Sequence, residues 1–477
     1  MKLAIFGIGG YYKENKKRLF SIMESTDEIS FFVDNRTREE DVFEGKPLYP
    51  PEHSIMLDFD MMLIMSIDHF ASMKAQINGM GICEQKIYPF WKFVAKKSRG
   101  EMHLYKKSNV WPTGKRILII VPELDYHGAP IAALSAERIL SANGYDVCIA
   151  APKGNPLFIK EIVGNGITVL VIPSLPYVEK EELYWIRMYD AVVVNTFPMI
   201  LAAFRIAVHK PVLWWIHEGS EKYTNVYGNT LHLFSEDMVG QWEKNNISTY
   251  AVSEIARRNF MACYPDMNIG IMSYGIPDAA SASATMQSSG KMVFAIIGNI
   301  YPLKGQSLFL QAIREMEERE RAHAQFWIIG HMANSEYGRE IRKQAASIPE
   351  VKIMGVLTRA EMALAYPKIH VVVCPSLEDA LPLVVVEGMM YGKVCIVSDA
   401  VGQAKIIKDK ENGLVCQAGN WHSLLNKMQW ILTHQHLLEP IGKASRMLYD
   451  NYFSMEKFGE RIEKEILDIC RFTTFSK

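Results

Sequence analysis

The chain has 477 residues, of which 49% are hydrophobic and 22% are charged. This length allows about three domains, and these proportions are ordinary for a soluble globular protein. The 52 basic and 53 acidic residues leave a formal net charge of −1. The composition therefore excludes an overall basic surface of the kind that attracts nucleic acid.

The amino-terminal sequence MKLAIFGIGG has an apolar run that is too short for a secretory signal, so we interpret it as a first strand. No uninterrupted apolar segment is long enough to span a bilayer. The seven cysteines show neither CxxC nor zinc-site spacing and lie mostly in apolar contexts. These features predict a cytoplasmic protein with reduced core thiols and no metal site.

Residues 1–107 are predicted to form a small Rossmann-like α/β module. LAIFGIGG indicates a strand and a glycine turn, a helix is expected over Lys13 to Met23, and ISFFVDN indicates a second strand that ends at Asp34. Glycines followed by an acid are part of a dinucleotide-binding fingerprint. Tyr11 and Tyr12, however, crowd the position where a small residue should allow close helix packing. We therefore favour a structural turn over bound NAD.

The stretch PFWKFVAKKSRGEMHLYKKSNVWPTG between Pro89 and Gly114 interleaves basic and aromatic side chains. Such a composition can rest on an anionic membrane surface, so a peripheral contact with the inner face of the membrane is one interpretation. The alternative is a polar linker whose aromatic side chains pack on neighbouring units. We prefer the linker.

A second α/β unit is predicted over residues 108–276. Ile117 to Val121 indicates a buried strand, Asp125 to Gly128 a turn, and Ile131 to Ala142 an apolar-faced helix. Further strands follow at helix-length intervals as far as VLWWI, after which His217 stands at a strand end. The alternation predicts a parallel sheet with helices on both faces.

A third unit is predicted over residues 277–450, and a final helix over 451–477 is expected to cross back to the second unit. The central stretch of the third unit, VVVCPSLEDALPLVVVEGMMYGKVCIVS, indicates a strand, a turn, a helix with Pro382 in its first turn, and another strand. Asp379 and Glu387 lie about two helical turns apart. Two carboxylates that can hold hydroxyls, with helix-start amides between them that can hold anionic oxygens, suit a sugar nucleotide.

The longer segment PSLEDALPLVVVEGMMYGKVCIVSDAVGQAKII resembles the donor-site signature of family 4 of the retaining GT-B glycosyltransferases. In that signature two acids flank seven residues, a spacing that Asp379 and Glu387 keep. The resemblance implies two facing Rossmann-like domains, here preceded by the small amino-terminal module. It also implies that Asp379 and the amides near Leu381 to Leu383, with Pro382 between them, approach the donor sugar, and that Glu387 holds the ribose hydroxyls.

The resemblance assigns roles to five further residues. Gly128 would approach the donor diphosphate, and Lys304 of a KG motif would stabilise the departing diphosphate. Asn299 stands where the family often has Arg, and Gly355 would lie near the base. His217 would contact a sugar hydroxyl or orient the acceptor, which makes it, with Asp379 and Lys304, a candidate catalytic residue.

The function implied is a retaining, metal-independent hexosyl transfer from a nucleotide-diphosphate sugar to a glycan or lipid-linked acceptor of a bacterial surface polysaccharide. One alternative is a GT-B sugar-nucleotide epimerase, which needs no acceptor. Another is a catalytically silent scaffold, suggested by Asn299, by Asp379 in place of Glu, and by Ala129 in place of a second glycine. A third is an NAD-dependent enzyme centred on the amino-terminal module.

Overall fold

The computed structural model describes residues 1–67, 69–107, 114–220, 246–265, 267, 269–280 and 290–472. It contains three α/β units, each built on a mainly parallel sheet. This confirms the predicted fold class of two facing Rossmann-like domains preceded by a smaller one. The stretch IMSYGIPDAASASATMQSSGK between the second and third units is rich in Ala, Ser and Gly, which predicts a hinge-bearing linker, and its residues 281–289 lie outside the described residues. No helix in the described ranges is long and apolar enough to cross a membrane.

The first sheet has six strands in the order β3-β4-β2-β1-β5-β6, and only β3 runs antiparallel to its neighbour. The strands are β1 (Lys2–Phe6), β2 (Glu28–Val33), β3 (Asp41–Phe43), β4 (Lys46–Tyr49), β5 (Met61–Ile64) and β6 (Ile87–Pro89), and the helices are α1 (Gly10–Ile22), α2 (Phe70–Gly79) and α3 (Phe90–Lys97). Helix α1 begins earlier than the expected Lys13, because the glycine turn leads directly into it. Asp34 accepts hydrogen bonds from Arg36 and from the amide of Ile8.

The basic and aromatic stretch after Pro89 is not a simple linker, so that part of our interpretation was wrong. Its first half is helix α3, whose side chains Phe90 and Phe93 are buried in the core of the module. Its second half contains β7 (His103–Tyr105), which pairs antiparallel with a strand of the second sheet. The rings of Phe90 and Phe93 pack inward because burying them removes a large apolar area from water, whereas Tyr105 is exposed.

The second sheet has eight strands in the order β14-β13-β12-β11-β8-β9-β10-β7. Its remaining strands are β8 (Arg116–Ile120), β9 (Asp146–Ala151), β10 (Thr168–Val171), β11 (Ala191–Asn195), β12 (Val212–Ile216), β13 (Ile247–Ala251) and β14 (Gly270–Ile271), and its helices are α4 (Gly128–Ala142), α5 (Pro156–Gly164), α6 (Ile200–Ala207) and α7 (Glu254–Cys263). Strands β8 to β14 are parallel and mostly buried. The strand order reverses between β8 and β11, which makes this edge the place where such sheets bind ligands.

The third sheet has six parallel strands in the order β17-β16-β15-β18-β19-β20. The strands are β15 (Met292–Ile297), β16 (Ala324–Ile329), β17 (Val351–Gly355), β18 (Val371–Cys374), β19 (Val394–Ser398) and β20 (Leu414–Cys416), and the helices are α8 (Gln306–Glu315), α9 (Glu318–Arg321), α10 (Glu336–Ala346), α11 (Arg359–Ala365), α12 (Leu383–Met390), α13 (Trp421–Thr433) and α14 (Leu438–Leu448). Here the order reverses between β15 and β18. That switch point faces the one in the second sheet.

The chain crosses between the second and third units at two points that lie side by side. The amide of Ile276 donates to the carbonyl of Phe453 at 3.0 Å, and the hydroxyl of Tyr449 donates to the carbonyl of Ile276 at 2.8 Å. Helix α15 (Met455–Phe472) then returns to the second unit and packs on α4, with Phe458 stacked on Trp215 at a centroid distance of 5.4 Å. The paired crossings connect the two walls of the cleft between these units.

Candidate active site

A cleft of about 490 Å³ lies between the second and third units, at the carboxyl ends of both sheets. Its volume is within the range of about 300–1,000 Å³ that is typical of ligand pockets. Eight of the ten residues predicted for the site line this cleft. They are Gly128, His217, Asn299, Lys304, Asp379, Leu381, Pro382 and Leu383.

Lys304 and Asp379 form an ion pair in the wall contributed by the third unit. Their Nζ and Oδ2 atoms are in direct contact, and both side chains are largely buried. Burial opposes protonation of Lys304, but the charge of Asp379 outweighs it and raises the pKa of the ammonium above its ordinary value. Lys304 therefore presents a permanent positive charge to the cleft, oriented by its acidic partner.

Helix α12 starts at the cleft, but it begins at Leu383 and does not include Pro382 in its first turn as expected. Pro382 is the residue before the first helical turn, with ψ at 123°, rather than the first helical residue. Among the described residues no side chain caps this helix start, although Glu378 and Asp379 shortly precede it and acids often cap helix starts. The side chains are engaged elsewhere, as the ion pair of Asp379 illustrates. The first amides of α12, which have no acceptor within the helix, lie beside the cleft.

The loop before α12 is supported by residues that are distant in sequence. Gln403 Nε2 donates to the carbonyl of Pro382 at 3.0 Å, and the hydroxyl of Ser253 donates to the carbonyl of Ala380. Gly402 packs so closely that a Cβ there would lie 1.9 Å from the same Ala380 carbonyl. The loop after β19 and the start of α7 thus hold the loop before α12 in place from behind.

His217 follows β12 and lies in the opposite wall of the cleft. Its ring stacks on Tyr274 at 6.0 Å between centroids and packs edge-on against Trp215 at 4.5 Å. Burial lowers the pKa of His217 to about 3, so the imidazole is neutral near pH 7. Its Nε2 is buried and has no hydrogen-bond partner among the residues that the structure describes. A buried nitrogen of this kind is available to a ligand hydroxyl.

Gly128 and Asn299 lie in opposite walls of the cleft. Gly128 follows β8 in the second unit, and Asn299 follows β15 in the third. Gly128 is the first residue of α4, which therefore begins three residues before the predicted Ile131. Asn299 follows β15, and its carbonyl accepts a hydrogen bond from Gln306 Nε2 at 3.1 Å. Both residues line the cleft where helix-start amides and loop backbone can approach an anion.

Glu387 and Gly355 do not line the cleft. Glu387 lies deeper on α12, half-buried, where its Oε2 accepts a hydrogen bond from the hydroxyl of Tyr366 at 2.7 Å. Burial raises the pKa of Glu387, and the Tyr366 hydrogen bond and the charge of Arg359 oppose this increase. Gly355 ends β17 with a φ of +71°, a conformation that favours glycine.

Three residues with no predicted site role also belong to the cleft. Tyr274 donates its hydroxyl to the carbonyl of Leu381 at 2.5 Å and so connects the two walls. Thr196 adopts φ 92° and ψ 154°, a strained conformation that is often kept at functional sites. Glu218 accepts hydrogen bonds from the amides of His217 and Phe197, both at 2.9 Å, and fixes the chain at the end of β12. Only the position of Glu218 beside His217 was visible in the sequence.

A further contact joins the two units at the mouth of the cleft. Glu378, which lies one residue out of register with the acidic signature, accepts hydrogen bonds from the amide of Ser220 at 2.5 Å and from Asn259 Nδ2 at 2.7 Å. The adjacent Gly219 leaves no room for a side chain, because a Cβ there would lie 2.5 Å from Glu378 Oε1. Glu378 thus holds the two units together instead of pointing into the cleft.

Comparison with protein families agrees with this geometry. Residues 282–447 match the model described as glycosyl transferases group 1, and residues 113–255 match glycosyl-transferase family 4. The chain is a group 1 glycosyltransferase with the GT-B fold. Residues 1–88 match a separate model, C2185-like, N-terminal, in agreement with the additional module of this glycosyltransferase.

Individual relatives of the glycosyltransferase are distant. An uncharacterized glycosyltransferase of Haemophilus influenzae is 19% identical over 68% of this chain and 92% of its own length. A phosphatidyl-myo-inositol mannosyltransferase of Mycobacterium leprae is 23% identical over 65% of this chain and 85% of its own. The crystal structure of Anabaena HepE in complex with UDP and glucose superposes with a TM-score of 0.60 at 14% identity, over 74% of this chain and 100% of that one.

Proposed function

We propose that this glycosyltransferase transfers a hexose, with retention of anomeric configuration and without an obligatory metal, from a nucleotide-diphosphate sugar to a glycan or lipid-linked acceptor. The observation that supports the proposal is the cleft itself. It joins a buried ammonium and a helix start in one wall to a neutral imidazole in the other. Such a pairing suits a diphosphate on one side and sugar hydroxyls on the other.

The donor would bind mainly to the third unit. Lys304 and the first amides of α12 would hold the diphosphate, and Asp379 together with the Leu381 to Leu383 backbone would meet the sugar. Glu387 and Gly355 lie outside the lining of the cleft, so their assigned contacts with the ribose and the base would require a ligand that extends past α12. The UDP complex of the structurally similar HepE supports a nucleoside diphosphate as the anchoring group.

The reaction would proceed within this geometry. The bond between the anomeric carbon and the diphosphate oxygen breaks, and the charge that develops on that oxygen is stabilised by Lys304 and the helix amides. An acceptor hydroxyl bonds to the anomeric carbon on the same face, and its proton passes to the departing diphosphate. Neutral His217 would orient a sugar hydroxyl by hydrogen bonding, since its pKa of about 3 makes it a poor base near pH 7.

The acceptor would enter along the second unit, and the product would serve bacterial surface polysaccharide synthesis at the cytoplasmic side of the membrane. The Mycobacterium leprae relative, a phosphatidyl-myo-inositol mannosyltransferase, supports a lipid-linked acceptor. We extend that acceptor class to this chain as part of the proposal.

The proposal is tested by incubating the full chain with UDP-, GDP- and ADP-sugars, each with and without lipid-linked and free glycan acceptors. We expect acceptor-dependent release of a nucleoside diphosphate and, by NMR, a product with the anomeric configuration of the donor. Isomerisation of the donor without acceptor would instead identify an epimerase. Absence of both binding and turnover with every sugar would identify a silent scaffold, and an inverted product would refute retention.

A further inference from the structure

A second cavity, also of about 490 Å³, lies between the amino-terminal module and the second unit. Every residue that lines it follows the carboxyl end of a parallel strand, either in the loop or in the first two turns of the next helix. The lining residues from the module are Tyr11, Glu14, Asn15, Ile67 and Trp91, and most of those from the second unit are prolines and charged residues after β8 to β11. The two sheets thus face each other through the edges at which parallel sheets bind ligands.

The second cavity adjoins the catalytic cleft. Pro122, just after β8, lines both spaces. The next residue, Glu123, lines the second cavity, and its Oε1 lies 3.1 Å from Nε2 of His127, which lines the catalytic cleft. The hydrogen bond from His127, together with Lys153, lowers the pKa of Glu123 to about 2 against the effect of burial. A ligand that extends past the end of β8 would therefore occupy both spaces.

The walls of the second cavity are held in a fixed relation to each other. Lys153 Nζ lies 2.8 Å from Glu123 Oε2 and 5.1 Å from the centre of the Trp91 ring, so the second unit contacts the module through a cation–π interaction. Trp91 itself packs against the hydrophobic cores of both units. The cavity is therefore a preformed space rather than a gap between independently moving domains.

The lining chemistry restricts the class of ligand. Among the described lining residues, two carboxylates, Glu14 and Glu123, face a single ammonium, Lys153, and this acidic excess disfavours phosphate or diphosphate groups. These charges also disfavour an acyl chain. The rings of Tyr11 and Trp91 with neighbouring carboxylate and amide oxygens suit the apolar faces and hydroxyl groups of sugars.

We propose that the second cavity binds the sugar rings of the acceptor glycan that lie next to the reacting one, so that the amino-terminal module is part of the acceptor site. This inference rests on the proposed function and extends it: the acceptor would be an oligosaccharide of at least two sugars, neutral in the part held by the module. A single acceptor sugar would reach the catalytic cleft but not the module.

Binding of the full chain to an array of bacterial surface oligosaccharides, together with their free mono-, di- and trisaccharides, tests this assignment. Glu14→Trp fills the cavity from an exposed position of α1, so the fold should be unaffected. Lys17→Trp adds the same bulk to an exposed position of the same helix outside the cavity and is the matched control. We expect wild type and Lys17→Trp to bind the same oligosaccharides, and Glu14→Trp to bind them at least about tenfold more weakly.

Two results would overturn the assignment. One is equal oligosaccharide binding by Glu14→Trp and Lys17→Trp, which would place the glycan elsewhere on the chain. The other is that wild type binds no oligosaccharide of two or more sugars. Calorimetry of the same three proteins with nucleotide sugars separates this test from the proposed function: loss of donor binding in wild type refutes the transferase, whereas unchanged donor binding in Glu14→Trp is the expected result.

Discussion

The two walls of the catalytic cleft are built in the same way but carry opposite chemistry. In each wall a parallel sheet reverses its strand order at the cleft, and loops after the strands supply the side chains. The wall of the third unit holds the ion pair of Lys304 and Asp379, whereas the wall of the second unit holds neutral His217 packed between Trp215 and Tyr274. Similar backbones therefore carry a buried ion pair on one side and a neutral imidazole packed against aromatic rings on the other.

This difference separates two tasks that one surface would perform poorly. A diphosphate requires positive charge and helix-start amides, while a sugar requires uncharged hydrogen-bonding groups and apolar ring faces. Burial has opposite consequences in the two walls: it is outweighed by an acidic partner at Lys304, but it keeps His217 neutral. Substitutions on each wall should consequently affect different ligands.

The largest expected effect is that of Lys304→Ala on the charged wall. Removing the ammonium deletes a contact to the diphosphate and leaves Asp379 unpaired, where its charge would repel the donor. We expect the affinity for the nucleotide sugar to fall roughly 10- to 100-fold, which corresponds to about 1.5–3 kcal/mol for hydrogen bonds to a charged group. Calorimetry measures this change. Lys343→Ala, at an exposed position of α10, is the control, and equal affinities in the two variants would contradict the role of Lys304.

A smaller effect on donor affinity is expected for Glu387→Gln, accompanied by a gain in stability. The pKa of Glu387 is raised in the folded chain, so above its ordinary value the ionised carboxylate destabilises the fold, and glutamine should increase the free energy of unfolding at pH 7. If Glu387 holds the ribose, affinity should fall by about tenfold, or ~1.5 kcal/mol.

Denaturant unfolding and calorimetry on the same samples of Glu387→Gln test both parts of this prediction. Glu411→Gln, an exposed acid of the same unit, should change neither quantity. Unchanged donor affinity in Glu387→Gln would remove the ribose role and would leave the residue as a half-buried partner of Tyr366.

The smallest effect on the donor is expected for His217 in the second-unit wall, where His217→Gln should lower nucleotide-sugar affinity by less than the roughly tenfold loss expected for Glu387→Gln and should alter the pH dependence of stability. The pKa of His217 in the folded chain, about 3, lies below its ordinary value of 6.5. Between these pH values the unfolded chain therefore binds a proton that the folded chain does not. The wild type should therefore lose stability as the pH falls below about 6.5, by at most ~1.4 kcal/mol per pH unit from this residue.

Unfolding curves from pH 7 to pH 4 measure this dependence. His217→Gln should show a shallower loss of stability than wild type, and His209→Gln, which changes an exposed histidine of the same unit, should follow wild type. Identical pH profiles for all three proteins would show that His217 titrates normally and would refute its assignment as a neutral hydrogen-bonding group.

Much of the fold could be predicted because the strands are local signals. VVVC, VLWWI and ILII are short, β-branched and buried, and they appear as β18, β12 and β8. Helix starts were less predictable: α1 and α4 begin earlier than expected, and Pro382 precedes α12. A helix boundary depends on backbone hydrogen bonds and on the neighbouring loop, which periodicity does not reveal. The short strand β7 was missed because its pairing with β10 is a contact distant in sequence.

For the candidate site, the sequence by itself determined which residues follow the buried strands, and eight of the ten predicted residues line one cleft. Only the tertiary structure decided what surrounds them. The pairing of Lys304 with Asp379, the link from Tyr274 to Leu381 and the contact of Glu378 with Ser220 each join segments far apart in the chain. The placement of the amino-terminal module beside the second unit was decided in the same way. Local patterns fix the elements, whereas charge state and ligand access depend on burial and on partners that only the folded chain brings together.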